Sequence, residues 1–178
     1  MKKWVLLHKP RTKNLEPRID EIIKILLKNR GIKTKQEFDE FLNPKLENIT
    51  IASLNLNQVQ LNKSVERIKR AIKDKESVVV YTDYDADGIC SGAIIWETLH
   101  QLGARVMPYV PHRINEGYGL SEIGINQTIK DFNPGLIITV DHGISARKQV
   151  DYAKKKGIET IILDHHVKPA KLPKAYSI

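Results

Sequence analysis

The sequence has a single cysteine, Cys90, in 178 residues, which excludes a framework of disulfide bonds. One thiol fits a reducing compartment, so we expect a cytoplasmic protein. No apolar run approaches the about 20 residues that a membrane-spanning helix needs, and the apolar patch near the start is too short for the core of a signal peptide. Internal repeats and low-complexity tracts are also lacking. The hydrophobic content of 41% and the charged content of 28% are typical of a globular protein.

Positive charge is unevenly distributed along the chain. Residues 1–76 hold 18 Lys and Arg against 10 Asp and Glu, whereas residues 77–178 hold 11 of each. The net charge of +8 therefore belongs to the front segment. A basic flank beside an acidic centre suits a polyanionic substrate. Taken alone, the excess of lysine is equally typical of a soluble surface.

The second part of the chain alternates between two kinds of pattern. Continuous apolar runs, typical of strands buried on both faces, predict strands at 78–82, 105–110, 136–140 and 159–163. Helical patterns lie between them, at 89–102, 121–130 and 145–156. This alternation predicts an α/β fold with a parallel sheet flanked by helices. Cys90 falls within the first of these helices, and we expect its side chain to be buried in the core rather than to act as a nucleophile.

Metal-ligand residue types follow three of the predicted strands. The first strand leads into Asp83, Asp85 and Asp87, the third into Asp141, and the fourth into Asp164-His165-His166. The carboxyl ends of parallel strands share one edge of a sheet, where ligands bind. Carboxylates with imidazoles suit Mn²⁺, Mg²⁺ or Zn²⁺. The sequence therefore predicts a metal site; the alternative for the first turn is a solvated acidic loop in which Asp87 caps the next helix.

The loop at 111–120 follows a strand and so lies at the same edge. Arg113 could hold a phosphate through two hydrogen bonds. Tyr118 stands between Gly117 and Gly119 and could stack on a base or sugar, because glycines let a ligand approach the backbone. The alternative is a structural turn in which Arg113 pairs with Glu116.

The front segment reads as helical. A helix is predicted from Pro17 to about Arg30, with Gly31 at its C-terminal cap. Thr34 and Glu37 have the spacing of a capping box that opens a short helix, and a third amphipathic helix is predicted at 58–73. We expect two regions, a basic helical N-terminal segment at 1–76 and an α/β domain at 77–178. No helix is predicted after the last strand, so we expect the front part of a longer protein.

The motifs together resemble a known superfamily. Asp83-Tyr-Asp85-Ala-Asp87-Gly88, Asp141 and Asp164-His165-His166 are similar to the motifs of the DHH phosphoesterases. Three further stretches resemble the RecJ family of single-strand-specific exonucleases within it: Leu-Leu-Lys-Asn-Arg-Gly-Ile-Lys-Thr at 26–34, Phe41-Leu-Asn-Pro44, and Arg113-Ile-Asn-Glu-Gly-Tyr-Gly-Leu120. The likeness runs from about residue 17 to residue 178.

This resemblance implies a two-metal hydrolase that removes 5′ nucleotides from single-stranded DNA, in DNA repair and recombination. Its cofactors would be two divalent cations, Mn²⁺ or Mg²⁺, and its partners would be single-stranded DNA and a helicase or single-strand-binding protein, with no membrane. The implied metal ligands are Asp85, Asp87, Asp141 and His165, with Asp141 bridging the cations. His166 would lie near the scissile phosphate, and Asp83 and Asp164 would orient water or imidazole. Arg113, Gly117, Tyr118 and Gly119 would hold the nucleotide.

The sequence also departs from the family pattern. A later metal-binding Asp, a second domain and a nucleic-acid-binding β-barrel are not found in the 178 residues. His142 stands where a small or amide residue is commoner, and could be an extra ligand or a mere neighbour. Thr82 stands where glycine is frequent. Two rival hypotheses stay open. One is another DHH enzyme, either a phosphodiesterase acting on short oligonucleotides or cyclic dinucleotides or a pyrophosphatase, and the other is an inactive nucleic-acid-binding or scaffold protein.

Overall fold

The computed structural model describes residues 19–178. The chain divides into two compact units, of which the first ends at Leu56 and the second spans Asn57–Ile178. Residues 1–18, including Pro17 at the predicted start of the first helix, lie outside the described residues. No helix in the described part is long and apolar enough to cross a membrane.

The described part of the first unit contains two short helices, α1 (Ile19–Asn29) and α2 (Lys35–Leu42), and a 3₁₀ turn at Leu46–Asn48. Gly31 has a φ of +87°, which a residue with a side chain rarely adopts, and it follows the end of α1 as predicted. The capping box at the start of α2 is confirmed. Thr34 accepts a hydrogen bond from the backbone N–H of Glu37, whose carboxylate accepts one from the backbone N–H of Thr34.

The second unit is built on a four-stranded parallel sheet in the order β2-β1-β3-β4. The strands are β1 (Ser77–Thr82), β2 (Arg105–Tyr109), β3 (Leu136–Val140) and β4 (Glu159–Leu163). Every residue of β1 and β3 is buried, as expected for the two central strands of a sheet covered on both faces. All four strands lie within one residue of their predicted positions.

Four helices cover the two faces of the sheet. They are α3 (Gln58–Lys73), α4 (Ala86–Gln101), α5 (Glu122–Phe132) and α6 (Arg147–Lys155). On one face, α3 and α4 pack on alternate strand residues such as Val78 and Ile138. On the other face, α5 and α6 pack on the intervening residues, such as Val79 and Ile137. The α/β class with a parallel sheet flanked by helices is confirmed.

The α3 helix packs on the sheet although the sequence places it in the front segment 1–76. Ala71 is fully buried in the core of the first face, and Arg67 is only 3% exposed. The Arg67 guanidinium bonds both oxygens of Glu76, at 2.7 and 2.8 Å, and also bonds Glu159 at the start of β4. This network joins α3 to the strands, so α3 belongs to the same compact unit as the sheet.

Two local expectations are wrong. The α4 helix begins at Ala86, three residues before its predicted start, and its N-cap is Asp85 rather than Asp87. Cys90 is exposed rather than buried. Gly88 and Gly92 face the sheet, where both are buried against the end of β1, and Cys90 falls on the exposed side of the helix.

Candidate metal centre

The carboxyl ends of β1, β3 and β4 place acidic residues side by side. Asp83, Asp141 and Asp164 directly follow these neighbouring strands. Asp141 has a φ of +65°, and its backbone N–H donates a hydrogen bond of 2.8 Å to the carbonyl of Leu163. The bond ties the turn after β3 to the end of β4. Because a left-handed backbone costs energy in a residue with a Cβ, this turn is a strained feature of the kind found at functional sites.

Two groups of ligand atoms meet at this edge. Asp141, His165 and His166 form one group, and Asp83, Asp85 and Asp141 form the other. Within each group the carboxylate and imidazole atoms lie within 4.8 Å of one another, and Asp141 belongs to both. One carboxylate shared by two neighbouring groups is the arrangement that a pair of bridged cations requires.

Asp141 is held in a crowded and largely buried position. It is 7% exposed, and its Oδ1 lies 3.0 Å from Nε2 of His165. Burial and the nearby Asp85 carboxylate raise the pKa of Asp141. A carboxylate that is destabilised in this way gains from a bound cation, which replaces the lost hydration and neutralises the neighbouring charge.

The structure places Asp85 and Asp87 differently, although both are predicted ligands. Asp85 Oδ1 accepts a 3.0 Å hydrogen bond from the backbone N–H of Gly88 and so caps α4. Its carboxylate still lies in the group with Asp83 and Asp141. Asp87 lies outside both groups of ligand atoms. It lines an open cleft of about 590 Å³ together with Asp141 and His165.

Asp164 supports the histidine that follows it by two positions. Its Oδ1 lies 2.7 Å from Nδ1 of His166, and its Oδ2 accepts a 2.9 Å bond from the backbone N–H of Ile144. Burial alone would raise the pKa of Asp164, but backbone hydrogen bonds from His166 and Ile144 outweigh burial and lower the pKa. The ionised Asp164 in turn raises the pKa of His166. The pair thus favours a cationic imidazole at the site.

Asp83 packs closely against the first turn of α4. It is 1% exposed, and its Oδ1 accepts a 2.6 Å bond from the backbone N–H of Tyr84. A Cβ placed on Gly88 would lie 2.6 Å from the Asp83 Cβ, and one placed on Gly92 would lie 2.1 Å from Cγ2 of Thr82. These close approaches bring the start of α4, and with it Asp85, against the end of β1.

His142 is a buried neighbour of the site. It is 2% exposed, and its Nε2 donates a 3.0 Å hydrogen bond to the carbonyl of Tyr81. Its Nδ1 has no hydrogen-bond partner among residues 19–178. Burial lowers the pKa of His142, which favours the neutral ring. It belongs to neither group of ligand atoms, and it packs beneath the loop, where a Cβ on Gly119 would lie 3.6 Å from Nδ1.

The loop at 111–120 presents Arg113 and Tyr118 beside the acids. Within residues 19–178, no ion pair joins Arg113 to Glu116. Glu116 instead accepts hydrogen bonds from the Tyr109 hydroxyl at 2.7 Å and the His112 backbone N–H at 2.9 Å. The guanidinium carbon of Arg113 lies 5.2 Å from the ring centroid of Tyr84.

The Tyr118 ring also contacts the ring of Tyr84. It stands edge-on to the Tyr84 ring, with the centroids 6.2 Å apart. Partial burial and the nearby Asp83 carboxylate raise the pKa of Tyr118 to about 12. Gly117 and Gly119 have φ values of +82° and +68°, which favour glycine and expose the backbone around Tyr118.

Sequence reasoning missed Tyr84, Gly88 and Gly92 as parts of the site. The sequence gives no sign of a role for Tyr84, because it stands between acidic residues and its contacts come from a loop about thirty positions away. The two glycines are spaced four apart, which places them on one face of a helix. That spacing is the signal that could have indicated a close helix–strand contact.

Comparison with known proteins identifies the family. Residues 77–178 match the profile of the DHH family, N-terminal domain. The chain is 36% identical over 160 residues to the single-stranded-DNA-specific exonuclease RecJ of Bacillus subtilis, covering 90% of this chain and 20% of that protein. It is 33% identical over 155 residues to RecJ of Dickeya dadantii, covering 86% of this chain and 26% of that protein. It thus spans about a quarter of these relatives or less.

A solved structure agrees with the sequence comparison. A crystal structure of exonuclease RecJ bound to manganese superposes with a TM-score of 0.59 at 30% identity, covering 67% of this chain and 30% of that one. The predicted resemblance to RecJ and to the DHH phosphoesterases is confirmed. With a profile match over residues 77–178, which include all four strands and the Asp and His residues that follow them, the chain belongs to the DHH family.

Proposed function

We propose that the protein is a metal-dependent exonuclease that hydrolyses phosphodiester bonds of single-stranded DNA. The observation that carries the proposal is the position of Asp141, whose carboxylate is shared by two groups of ligand atoms. Relatives that cover most of this chain are single-stranded-DNA-specific exonucleases, which supports the choice of substrate.

The donor set fits two divalent cations, Mn²⁺ or Mg²⁺. Carboxylate oxygens and imidazole nitrogens are the ligands of such cations, and the single thiol of the chain offers no competing cluster. The raised pKa of Asp141 marks a carboxylate that a cation would stabilise. The solved relative is described as bound to manganese. When bound, such cations supply Lewis acidity toward water and phosphate.

Each residue of the site has a proposed role. Asp85, Asp87, Asp141 and His165 would hold the cations, and Asp141 is the carboxylate that both cations could share. Asp83 is buried beside Asp85 and keeps the first turn in place. Asp164 accepts from Nδ1 of His166 and so orients that ring. The Nε2 of His166 can then donate to a phosphate oxygen, which its raised pKa favours.

Substrate holding is assigned to the loop after β2. Arg113 is exposed and offers a guanidinium for a phosphate, and the 58% exposed ring of Tyr118 offers a face for a base. Gly117 and Gly119 allow the strand to approach the backbone. Since the loop lies at the edge that carries the acids, a held nucleotide would place its phosphate toward them.

The two predicted regions keep separate roles in this proposal. Residues 77–178, the DHH domain, carry the chemistry. The basic residues within 1–76 bind the DNA backbone, although α3 packs on the sheet and belongs to the same compact unit as the domain. The positive net charge of that segment supports this role. Each phosphate contact contributes about 0.7 to the slope of the logarithm of the binding constant against the logarithm of the salt concentration. Exchanging Lys24, Lys28 and Lys33 for Gln should therefore reduce the magnitude of this slope by about 2.

The remaining parts of the proposal rest on the family resemblance. The exonuclease would start from the 5′ end and serve DNA repair and recombination in the cytoplasm. A helicase or a single-strand-binding protein would supply its substrate, because an exonuclease of this kind needs duplex DNA to be opened first. The single cysteine is consistent with a cytoplasmic setting.

One experiment separates this function from its rivals. The purified protein is incubated with Mn²⁺ and three substrates: a long single strand labelled at its 3′ end, the matching duplex, and a dinucleotide. We expect stepwise shortening of the single strand only, abolished by a chelator. Preferred cleavage of the dinucleotide would indicate a short-oligonucleotide phosphodiesterase. Binding of the single strand without cleavage would indicate a scaffold.

A further inference from the structure

Tyr84 lies between two candidate metal ligands and also contacts both residues assigned to substrate holding. It separates Asp83 from Asp85 in the turn after β1. Its ring is half-buried, with Arg113 and Tyr118 packed on it. The metal-binding turn and the substrate loop therefore meet at one side chain. The family motifs as quoted from the sequence assign no role to this position.

The contact with Arg113 has the geometry of a cation–π interaction. The guanidinium carbon lies 5.2 Å from the ring centroid, within the about 6 Å at which the attraction is significant. Arg113 has no carboxylate partner among the ion pairs of the described residues, and Glu116, its nearest candidate in sequence, is occupied by Tyr109 and the backbone of His112. The Tyr84 ring is thus the group that orients this guanidinium while leaving its N–H donors available.

The contact with Tyr118 restricts the second holding residue. An edge-on pair with centroids 6.2 Å apart is a favourable aromatic arrangement. Tyr118 stands between two glycines with positive φ, so its backbone alone gives little rotational restraint. The Tyr84 ring supplies a fixed neighbour on one side of the Tyr118 ring.

The position of Tyr84 is itself fixed relative to the metal ligands. Its backbone N–H donates a 2.6 Å hydrogen bond to Oδ1 of Asp83. Asp83 is 1% exposed and is pressed against Gly88 of α4. Any displacement of Tyr84 would therefore disturb the turn that also carries Asp85.

We propose that Tyr84 is a positioning residue that holds Arg113 and Tyr118 at a set distance from the metal ligands, so that the phosphate of a bound strand is presented to the site. This inference rests on the proposed exonuclease function. Tyr84 acts on the substrate through Arg113 and Tyr118 and takes no part in binding the cations.

The test is a double-mutant cycle with a conservative rescue. Values of kcat and KM for a 3′-labelled single strand, and the number of bound Mn²⁺, are measured for the wild type, Tyr84→Leu, Tyr84→Phe, Arg113→Ala and the double variant Tyr84→Leu/Arg113→Ala. Tyr84→Leu should raise KM about fivefold with kcat and Mn²⁺ content unchanged, since a half-exposed cation–π contact is lost. Tyr84→Phe keeps the ring and should restore KM. The KM of the double variant should exceed the KM of Arg113→Ala by no more than about twofold.

A second measurement tests the contact without any activity. In the ¹⁵N-labelled protein, the Nε–Hε signal of Arg113 should be displaced by the Tyr84 ring current. It should move toward the position typical of a free Arg in Tyr84→Leu and stay in Tyr84→Phe.

The possible failures are distinguishable. Three results would each overturn the positioning role while leaving the exonuclease function intact. They are additive effects of the two single substitutions on KM, loss of Mn²⁺ in Tyr84→Leu, and an Arg113 signal that does not move in Tyr84→Leu. A wild type that cleaves no single strand would overturn the function. The Arg113 signal would then still decide whether Tyr84 orients the guanidinium.

Discussion

A Cβ on Gly88 would lie 2.6 Å from the Cβ of Asp83 and 2.7 Å from its carbonyl oxygen. The first turn of α4 therefore contacts the end of β1 at a distance that only glycine allows. Asp85 caps this helix through the Gly88 N–H. The close packing of Gly88 on Asp83 thus sets the position of a candidate ligand together with this hydrogen bond, and it links helix packing to metal binding.

Gly88→Ala should weaken metal binding as well as stability. The added methyl group meets backbone atoms, which cannot move aside as a flexible side chain would. We expect a loss of about 1–3 kcal/mol in the free energy of unfolding and a lower affinity for Mn²⁺. Chemical denaturation and calorimetric metal titration measure the two effects. Ala93→Ser, at an exposed position of the same helix, is the control and should change neither. Normal Mn²⁺ affinity in Gly88→Ala would show that the turn does not depend on this contact.

Asp141→Ala should lose metal and turnover together. The substitution removes the carboxylate that both groups of ligand atoms share, and two cations would then repel each other across the site. Arg113→Ala should keep the metal and lose mainly affinity for DNA. A bound-metal count and a digest of 3′-labelled single strands are run on both variants. If Asp141→Ala digests DNA at the wild-type rate in excess Mn²⁺, the two-metal assignment is wrong.

Arg67→Met should destabilise the protein far more than Arg70→Met. Arg67 is 3% exposed and bonds both Glu76 and Glu159, so its removal leaves Glu76 without its cation and Glu159 with Arg70 alone. We expect a loss of about 3 kcal/mol in the free energy of unfolding. Arg70 also pairs with Glu159, at 3.0 Å, but its side chain is 52% exposed. Its loss should therefore cost less than about 1 kcal/mol. Equal effects in urea denaturation would contradict the role given to the buried guanidinium.

The buried phenol of Tyr81 should make the protein unstable at alkaline pH. Tyr81 is fully buried, and burial raises its pKa from 10 to about 12. A group with a raised folded-state pKa contributes stability that is complete below pH 10 and is lost as the pH rises toward 12, because the unfolded chain ionises first. The loss should reach roughly 2–3 kcal/mol across this window.

Tyr81→Phe is the test of this pH dependence. The Tyr81 hydroxyl has no hydrogen-bond partner among the described residues, so its removal should change stability at pH 7 by less than about 1 kcal/mol. The variant should lose less stability than the wild type between pH 10 and 12. Denaturation curves at pH 7, 10 and 11.5 provide the comparison. Parallel alkaline losses in the two proteins would assign the effect to other groups.

Much of the architecture was predictable because it depends on local pattern. Continuous apolar runs gave the four strands within one residue, and the capping box gave the start of α2. The convergence of Asp83, Asp141 and Asp164 also followed from sequence. Parallel strands share a carboxyl edge, so residues that follow them meet there whatever the packing details are.

Other features depended on contacts between distant residues. The exposure of Cys90 follows from the fit of Gly88 and Gly92 against β1. The spacing of the two glycines indicates such a contact, but it does not specify the strand residues that they meet. The docking of α3 depends on Arg67 reaching Glu76 and Glu159. The place of His142 depends on the carbonyl of Tyr81, 61 positions away. The residue types of the site and the sheet edge that they share were therefore determined by sequence. The strand order and the distances between the groups of the site were decided only by tertiary packing, because steric contact between surfaces selects one arrangement among many that the same pattern allows.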